Sequence, residues 1–269
     1  MPAIDLDQYT GVKLHKDGKV LTATLTNPEK RNAMTPAMSK DLDRLWGDVD
    51  RDDDVNVVVL TGAGDAFCAG VDLGNVSRGE STTGKVTSRA LGKEIRDRFW
   101  KMLDCETPII SKVRGPAYGL GASICLSADI VVASENARFA DSHVRMGIAA
   151  GDGGVALWPL LVGFHRAKEF LMLGDVIPAR RAEEIGLINH CVPDDELDAF
   201  VDEMARRLAD GAPRAISWTK LAMNIVLKQL TAGAFEASVA YDMMTLRMDD
   251  AREGSTAFME KRAPRFTGD

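Results

Sequence analysis

The chain has 269 residues, 45% of them hydrophobic and 27% charged, enough to bury a large core in one compact unit or a unit with an appendage. A formal charge of −7 argues against nucleic acid as the main partner, because phosphate binding needs a basic face. The longest apolar runs fall far short of the roughly 20 residues that cross a bilayer, so no membrane association is expected.

The N-terminal stretch is acidic where a cleavable presequence would be basic, which favours the cytoplasm. Residues 12–26 then predict a hairpin: "VKLH", a "KDGK" turn, and "VLTATLT" with strict alternation. A helix follows over "TPAMSKDLDRLWGDVD", with Thr35 as N-cap and Pro36 at the first helical position, where its missing N–H does no harm. The apolar runs "VNVVVLTG" (55–62), "TPIISKVRG" (107–115) and "DIVVAS" (129–134) suit strands covered on both faces. Helical segments near 87–104 and 120–128 separate them, and the alternation implies α/β crossovers. From about residue 153 the pattern turns helical, broken by the strand-like "LINHCV", and everything after Asp194 is expected to be helix. Met223, Met243, Met244 and Met248 fall on those helices, where packing or a subunit contact suits them better than a cofactor.

Four single cysteines, Cys68, Cys105, Cys125 and Cys191, form no CxxC pair and lie near no histidine at metal-ligand spacing; they read as buried or free thiols, and no metal is expected. There is no Walker loop and no GxGxxG, since "TGAGDAF" leads into "CAGVDL" and not into a helix-opening phosphate cradle. Three other stretches share one design, a strand running into glycines that expose backbone N–H groups: "FCAGVDL" (67–73), "RGPAYGLGAS" (114–123) and "MGIAAGDGG" (146–154). Such donors can hold a developing oxyanion, and small residues let a substrate come close.

Taken in order, "NPEKRNAM" (27–34), "FCAGVDL", "GPAYGLGASICLSADI" (115–130), "FADSHVRMGIAAGDGG" (139–154), "AEEIGLINHCVP" (182–193) and "FMEKRAPRF" (258–266) resemble the successive signatures of the crotonase (enoyl-CoA hydratase/isomerase) superfamily. The resemblance spans nearly the whole chain. It implies an α/β fold, a right-handed spiral of ββα turns over 1–193 that carries the active site, with a helical oligomerisation region over 194–269. It also implies a homotrimer or homohexamer acting on acyl-CoA, with coenzyme A part of the substrate and no separate cofactor. By position, the amides of Val71 and Leu120 would form the oxyanion hole. Lys30, Arg31, Asn32 and Ala33, with Ala69, Gly70, Asp72 and Leu73, would take the CoA moiety; Gly119 and Ser123 would line the acyl site, and Lys261 would reach the nucleotide.

The two glutamates that hydratases of this family place around a water fall here on Ser123 and His143. Serine is no base near neutral pH, whereas histidine exchanges protons there. If the chain turns back after residue 147, Asp152 can meet His143 and orient its ring, making His143 the general base for water addition. Asp152 as a simple helix N-cap is the alternative role. The His143/Asp152 spacing resembles a subgroup that includes 6-oxocamphor hydrolase, which leaves carbon–carbon bond hydrolysis of a cyclic β-diketone or β-keto thioester open. A non-catalytic CoA-binding member is a third reading. The polar segment 77–94 sits where this family often covers the acyl pocket.

Overall fold

The computed structural model describes residues 4–72, 80–81, 84–85 and 88–269; Leu73 and part of the segment 77–94 lie outside them. The hairpin forms where alternation predicts it, β1 (Val12–Asp17) pairing antiparallel with β2 (Val20–Leu25). From β2 the sheet continues in parallel through β3 (Val57–Gly62), β6 (Ile109–Val113), β8 (Ile130–Ser134) and β11 (His190–Val192). Between β3 and β6, a short pair, β4 (Glu80–Ser81) and β5 (Gly84–Lys85), stands apart. A second ladder runs beside the first: β7 (Pro116–Tyr118) lies parallel to β9 (Arg138–Ala140), which pairs antiparallel with β10 (Ile177–Pro178). A bridge between Cys68 and Ala117 carries this ladder back to the preceding turn. Successive turns thus add a strand to each ladder, the ββα spiral of the crotonase fold.

Why these stretches become these elements is visible in their burial. In β3 the residues Val58 and Leu60 enter the main core, while Val57 and Val59 join Ile110 and Val132 on the opposite face. Alternate side chains of a strand point to opposite faces, so a continuous apolar run needs cover on both. The second cover is α7 (Leu197–Ala209), which buries Leu197, Val201, Ala205 and Ala209, one residue per turn. The first helix, α1 (Pro36–Val49), begins at Thr35, whose hydroxyl accepts the Met38 N–H at 3.2 Å.

Further helices are α2 (Ser88–Asp104), α3 (Leu120–Leu126), α4 (Gly154–Val162), α5 (Phe164–Leu173), α6 (Ala179–Glu184), α8 (Pro213–Thr245) and α9 (Asp249–Met259). The long α8 is fastened across the core. Lys220 Nζ reaches the Thr107 carbonyl and the Asp129 carboxylate, each at 2.8 Å, and Phe235 stacks on Phe99 with ring centroids 4.2 Å apart. All four cysteines are free and buried. No helix among the described residues is long and apolar enough to cross a membrane.

One expectation fails: residues 260–269 are not helical. Lys261 adopts a left-handed φ of 55°, the Arg262 N–H returns to the Ala257 carbonyl, and Pro264 cannot rejoin a helix. The tail is instead tied to α9 through side chains, with the Thr267 and Gly268 N–H groups donating to the Asp250 carboxylate at 2.7 and 2.9 Å.

Candidate active site

The first two glycine turns meet. Gly70 has φ +94°, and a Cβ built on it would lie 2.9 Å from the Tyr118 carbonyl oxygen and 3.8 Å from the Leu120 nitrogen, a separation that only glycine permits. Gly119, with φ 50° and ψ −122°, donates its N–H to the Ala140 carbonyl at 2.9 Å and opens α3. Leu120 is then the first helical residue, so its N–H has no acceptor within the helix. Among the described residues neither the Val71 nor the Leu120 N–H donates to a backbone carbonyl. The first turn is itself clamped, since Met34 N–H donates to the Gly70 carbonyl and Ala69 N–H to the Arg31 carbonyl.

Beside these turns lies a chain of charged side chains. The His143 ring is bracketed, with Nδ1 2.6 Å from Asp141 Oδ1 and Nε2 3.2 Å from Asp152 Oδ2. The Ser123 hydroxyl donates to the other Asp152 oxygen at 2.6 Å. His143 opens a single 3-10 turn ending at Gly147, after which the Ile148 N–H returns to the His143 carbonyl. The loop that follows docks on α8: Ala149 N–H donates to Thr245 Oγ1 at 2.9 Å, and a Cβ on Gly151 would fall 2.2 Å from the Cβ of Asp242. A Cβ on Gly154 would fall 2.0 Å from Asp141 Oδ2. These glycines are there for room, and they let the loop bring Asp152 back to His143. The N-cap of α4 is Gly153, with no side-chain cap, so Asp152 spends its carboxylate on His143 and Ser123 and the N-cap role does not hold.

Burial alone would lower the His143 pKa. The charges of Asp152 and Asp141 and their hydrogen bonds override it and hold the pKa well above the usual histidine value. Burial likewise would raise Asp152, but the His143 charge, the hydrogen bonds from His143 and Ser123, and the Arg98 charge hold it below the usual carboxylate range. The ring thus sits between the side chains of Asp141 and Asp152, each at hydrogen-bond distance from one ring nitrogen. Asp242 behaves differently: burial pushes it up to about 7, opposed by His143 and reinforced by Asp152 and Asp141. Asp141, His143 and Asp152 each offer one ligand atom within 4.8 Å of the others, a spacing a cation could use. Each ring nitrogen, however, already faces its own carboxylate at hydrogen-bond distance, the arrangement of an ion pair.

Ser123 and Asp152 line a narrow cavity with Leu120, Ile95, Phe99 and Arg98, and the described walls leave about 10 Å³, the room of a single water. The sequence reading missed three of the charged residues here, although their spacing carries a signal. Asp141 is two residues from His143. Asp242 shares the buried face of α8 with Phe235, Ser238 and Val239, and Arg98 shares that of α2 with Ile95, Phe99 and Met102.

The residues expected to hold CoA are distributed unevenly. Lys30 is exposed and pairs with Asp72 at 2.8 Å, joining the first signature to the first glycine turn, and Arg31 is exposed with φ 52°. The Asn32 side chain is fully buried, donating to the Ala63 and Ala66 carbonyls and accepting the Asn27 N–H, so it holds the turn. The Ala33 carbonyl is taken by Asn27. Lys261 is exposed just past α9, and Leu73 lies outside the described residues.

Residues 15–269 match the family model described as enoyl-CoA hydratase/isomerase. The chain is 34% identical over 258 residues to the short-chain-enoyl-CoA hydratase of Clostridium acetobutylicum, covering 95% of this chain and 97% of that one. It is 33% identical over 259 residues to the 1,2-epoxyphenylacetyl-CoA isomerase of Escherichia coli, covering 94% and 97%. The crystal structure of an enoyl-CoA hydratase from Mycobacterium avium subsp. paratuberculosis superposes with a TM-score of 0.87 at 29% identity, covering 96% of this chain and 99% of that one. The chain therefore belongs to the enoyl-CoA hydratase/isomerase family.

Proposed function

We propose that the protein adds water to the double bond of an enoyl-CoA, with the thioester oxygen held by the Val71 and Leu120 amides and the acid–base work done by His143 and Asp152. The observation that carries this reading is the placement of Asp152 in the same cavity as Leu120, hydrogen-bonded to His143. Two amides aimed at one oxygen stabilise the negative charge that develops as the enolate forms. Water bonds to Cβ and gives its proton to the pair; the enolate carbon Cα takes a proton back. His143 is the general base of this reading, and Asp152, 3.2 Å from Nε2, supports it. The Asp152 and Asp141 charges pull the ring towards its protonated form against the opposing effect of burial. The two side chains can pass a proton between them across the 3.2 Å contact.

Apolar residues left exposed on α8, among them Trp218, Met223, Ile225 and Leu230, support assembly as a homotrimer or homohexamer, and the exposed Lys30, Arg31 and Lys261 suit the phosphates of CoA. A second reading keeps the fold: with no glutamate at positions 123 and 143, water addition to a ketone and cleavage of a carbon–carbon bond in a cyclic β-diketone or β-keto thioester is the competing reaction. The test is product identity by NMR. A 3-hydroxyacyl-CoA from a trans-2-enoyl-CoA supports hydration. An inert enoyl-CoA together with a new carboxylate from a β-diketone refutes it in favour of carbon–carbon hydrolysis, and retained CoA binding without any turnover would mark a non-catalytic member.

A further inference from the structure

Two buried carboxylates bracket the His143 ring, and they are not equivalent. Asp141 Oδ1 lies 2.6 Å from Nδ1, whereas Asp152 Oδ2 lies 3.2 Å from Nε2. Asp152 also accepts the Ser123 hydroxyl at 2.6 Å and feels the Arg98 charge. Asp141 has less company: its Oδ1 meets the ring and, at 3.4 Å, the His143 backbone N–H, while its Oδ2 is buried without a hydrogen bond among the described residues. The Asp141 side chain is only 1% exposed, and the glycine at 154 leaves room for it, since a Cβ there would fall 2.0 Å from Oδ2.

A buried carboxylate oxygen with no donor is costly, so Asp141 needs a reason to stand where it does. A neutral imidazole carries one ring proton, and the acceptor that draws it harder decides which nitrogen keeps its lone pair. The shorter hydrogen bond, to a carboxylate that few other donors share, is the stronger of the two. The contest therefore goes to Asp141, which keeps the proton on Nδ1 and leaves Nε2 free. Nε2 is the nitrogen on the side of Asp152, the carboxylate that lines the cavity with Leu120. The ring also stands against the second glycine turn, where a Cβ on Gly119 would lie 3.7 Å from the His143 Cε1.

We propose that Asp141 is a positioning residue that holds the ring proton of neutral His143 on Nδ1, so that Nε2 is the nitrogen that exchanges protons with the reactants. The proposal rests on the hydration reading of the site and adds which ring nitrogen serves and what selects it. The water oxygen bonds to Cβ while its proton passes to Nε2. That proton is then given to Cα of the enolate, and the ring returns to its starting form. With the ring proton on Nε2 instead, the lone pair of Nδ1 would point at Asp141, in a corner that is closed off by burial.

The test reads the ring directly by nitrogen NMR of the full chain carrying isotope-labelled histidine. The sequence has four histidines, His143 is assigned by the signals lost in His143→Ala, and the pH is raised until its ring gives up a proton. In the wild type Nε2 is expected to lose its proton while Nδ1 keeps one. Asp141→Leu, which offers no acceptor, should move the remaining proton to Nε2, facing Asp152. It should also lower kcat on a short trans-2-enoyl-CoA about 10²-fold or more while KM changes less than about threefold. Asp141→Asn, with a single amide oxygen, should fall between the two, and it decides if Asp141→Leu does not fold. Loss of the Nδ1 proton first in the wild type overturns the proposal, as does a ring that keeps both protons for as long as the chain is folded. A proton position that the substitution leaves unchanged overturns it whatever the rate, because the role is then structural, and so does a kcat within about twofold of wild type. A wild type that hydrates no enoyl-CoA would count against hydration, and the ring nitrogens alone would then decide on Asp141.

Discussion

The site is built from two regions that do different kinds of work. The turns at 69–72 and 118–121 offer backbone N–H groups, and their geometry depends on glycines at 70 and 119; the side chains of Val71 and Leu120 are secondary. The cluster of Asp141, His143, Asp152 and Asp242 depends entirely on side chains, gathered from a strand end, a 3-10 turn, a loop and the long helix α8. A backbone device tolerates sequence change around its glycines. A side-chain device can be rewritten, and here serine and histidine stand at the positions where hydratases of the resembled family place glutamates.

The contrast is broken most directly at Asp152. Asp152→Asn keeps the shape but removes the charge that pairs with His143, and turnover of a short enoyl-CoA should fall about 10³-fold with CoA affinity changed less than about threefold. Steady-state kinetics with calorimetry checks both; a tenfold weaker affinity with kcat intact would show a binding role instead. On the backbone side, Gly119→Ala forces a Cβ into φ 50°, ψ −122° and should lower kcat about 10²-fold while costing about 1–3 kcal/mol of stability, read by turnover and urea melts. An unchanged kcat would mean that the Leu120 amide is not aimed at a reacting oxygen.

Asp242 sharpens the comparison through pH. Its folded pKa of about 7 lies above the usual carboxylate value near 3.9, so the folded state binds the extra proton. The stability it contributes is complete below about pH 4 and is lost as pH rises towards 7, a change of a few kcal/mol. Asp242→Asn should abolish that part of the slope in melts taken between pH 4 and 8, and an unaltered slope would remove Asp242 from the cluster's charge balance. His143, also raised, adds stability below its unfolded pKa near 6.5 that disappears only as pH passes its higher folded value. The smallest effect is expected from Ser123→Ala, which removes one hydrogen bond to Asp152: about 1–2 kcal/mol of stability and less than a tenfold loss of turnover. A loss as large as that of Asp152→Asn would instead put Ser123 in the proton path.

Glycine positions and strand runs were legible because they obey local rules. The apolar β3 run, the Thr35 cap and the turns around Gly70 and Gly119 need nothing beyond neighbouring residues to be recognised. His143 and Asp152 were readable as a pair because a glycine-rich loop of nine residues can fold back. Asp242 and Arg98 were not singled out, because an isolated charge on a helix normally points to solvent, and only the tertiary packing of α8 and α2 buries them. The burial of the Asn32 side chain was not legible either, because three hydrogen bonds to residues on both sides of the turn draw it in. The tail after Met259 departs from helix because Lys261 and Pro264 end it and Asp250 captures its amides.

The most direct measurement is the loss of enone-thioester absorbance when the protein meets a short trans-2-enoyl-CoA, run beside His143→Ala with folding and CoA binding verified for both. The account expects rapid decay with the wild type and a loss of about 10²-fold or more in the variant. Equal decay rates in the two proteins would contradict it, because the bracketed His143 ring would then have no part in the chemistry.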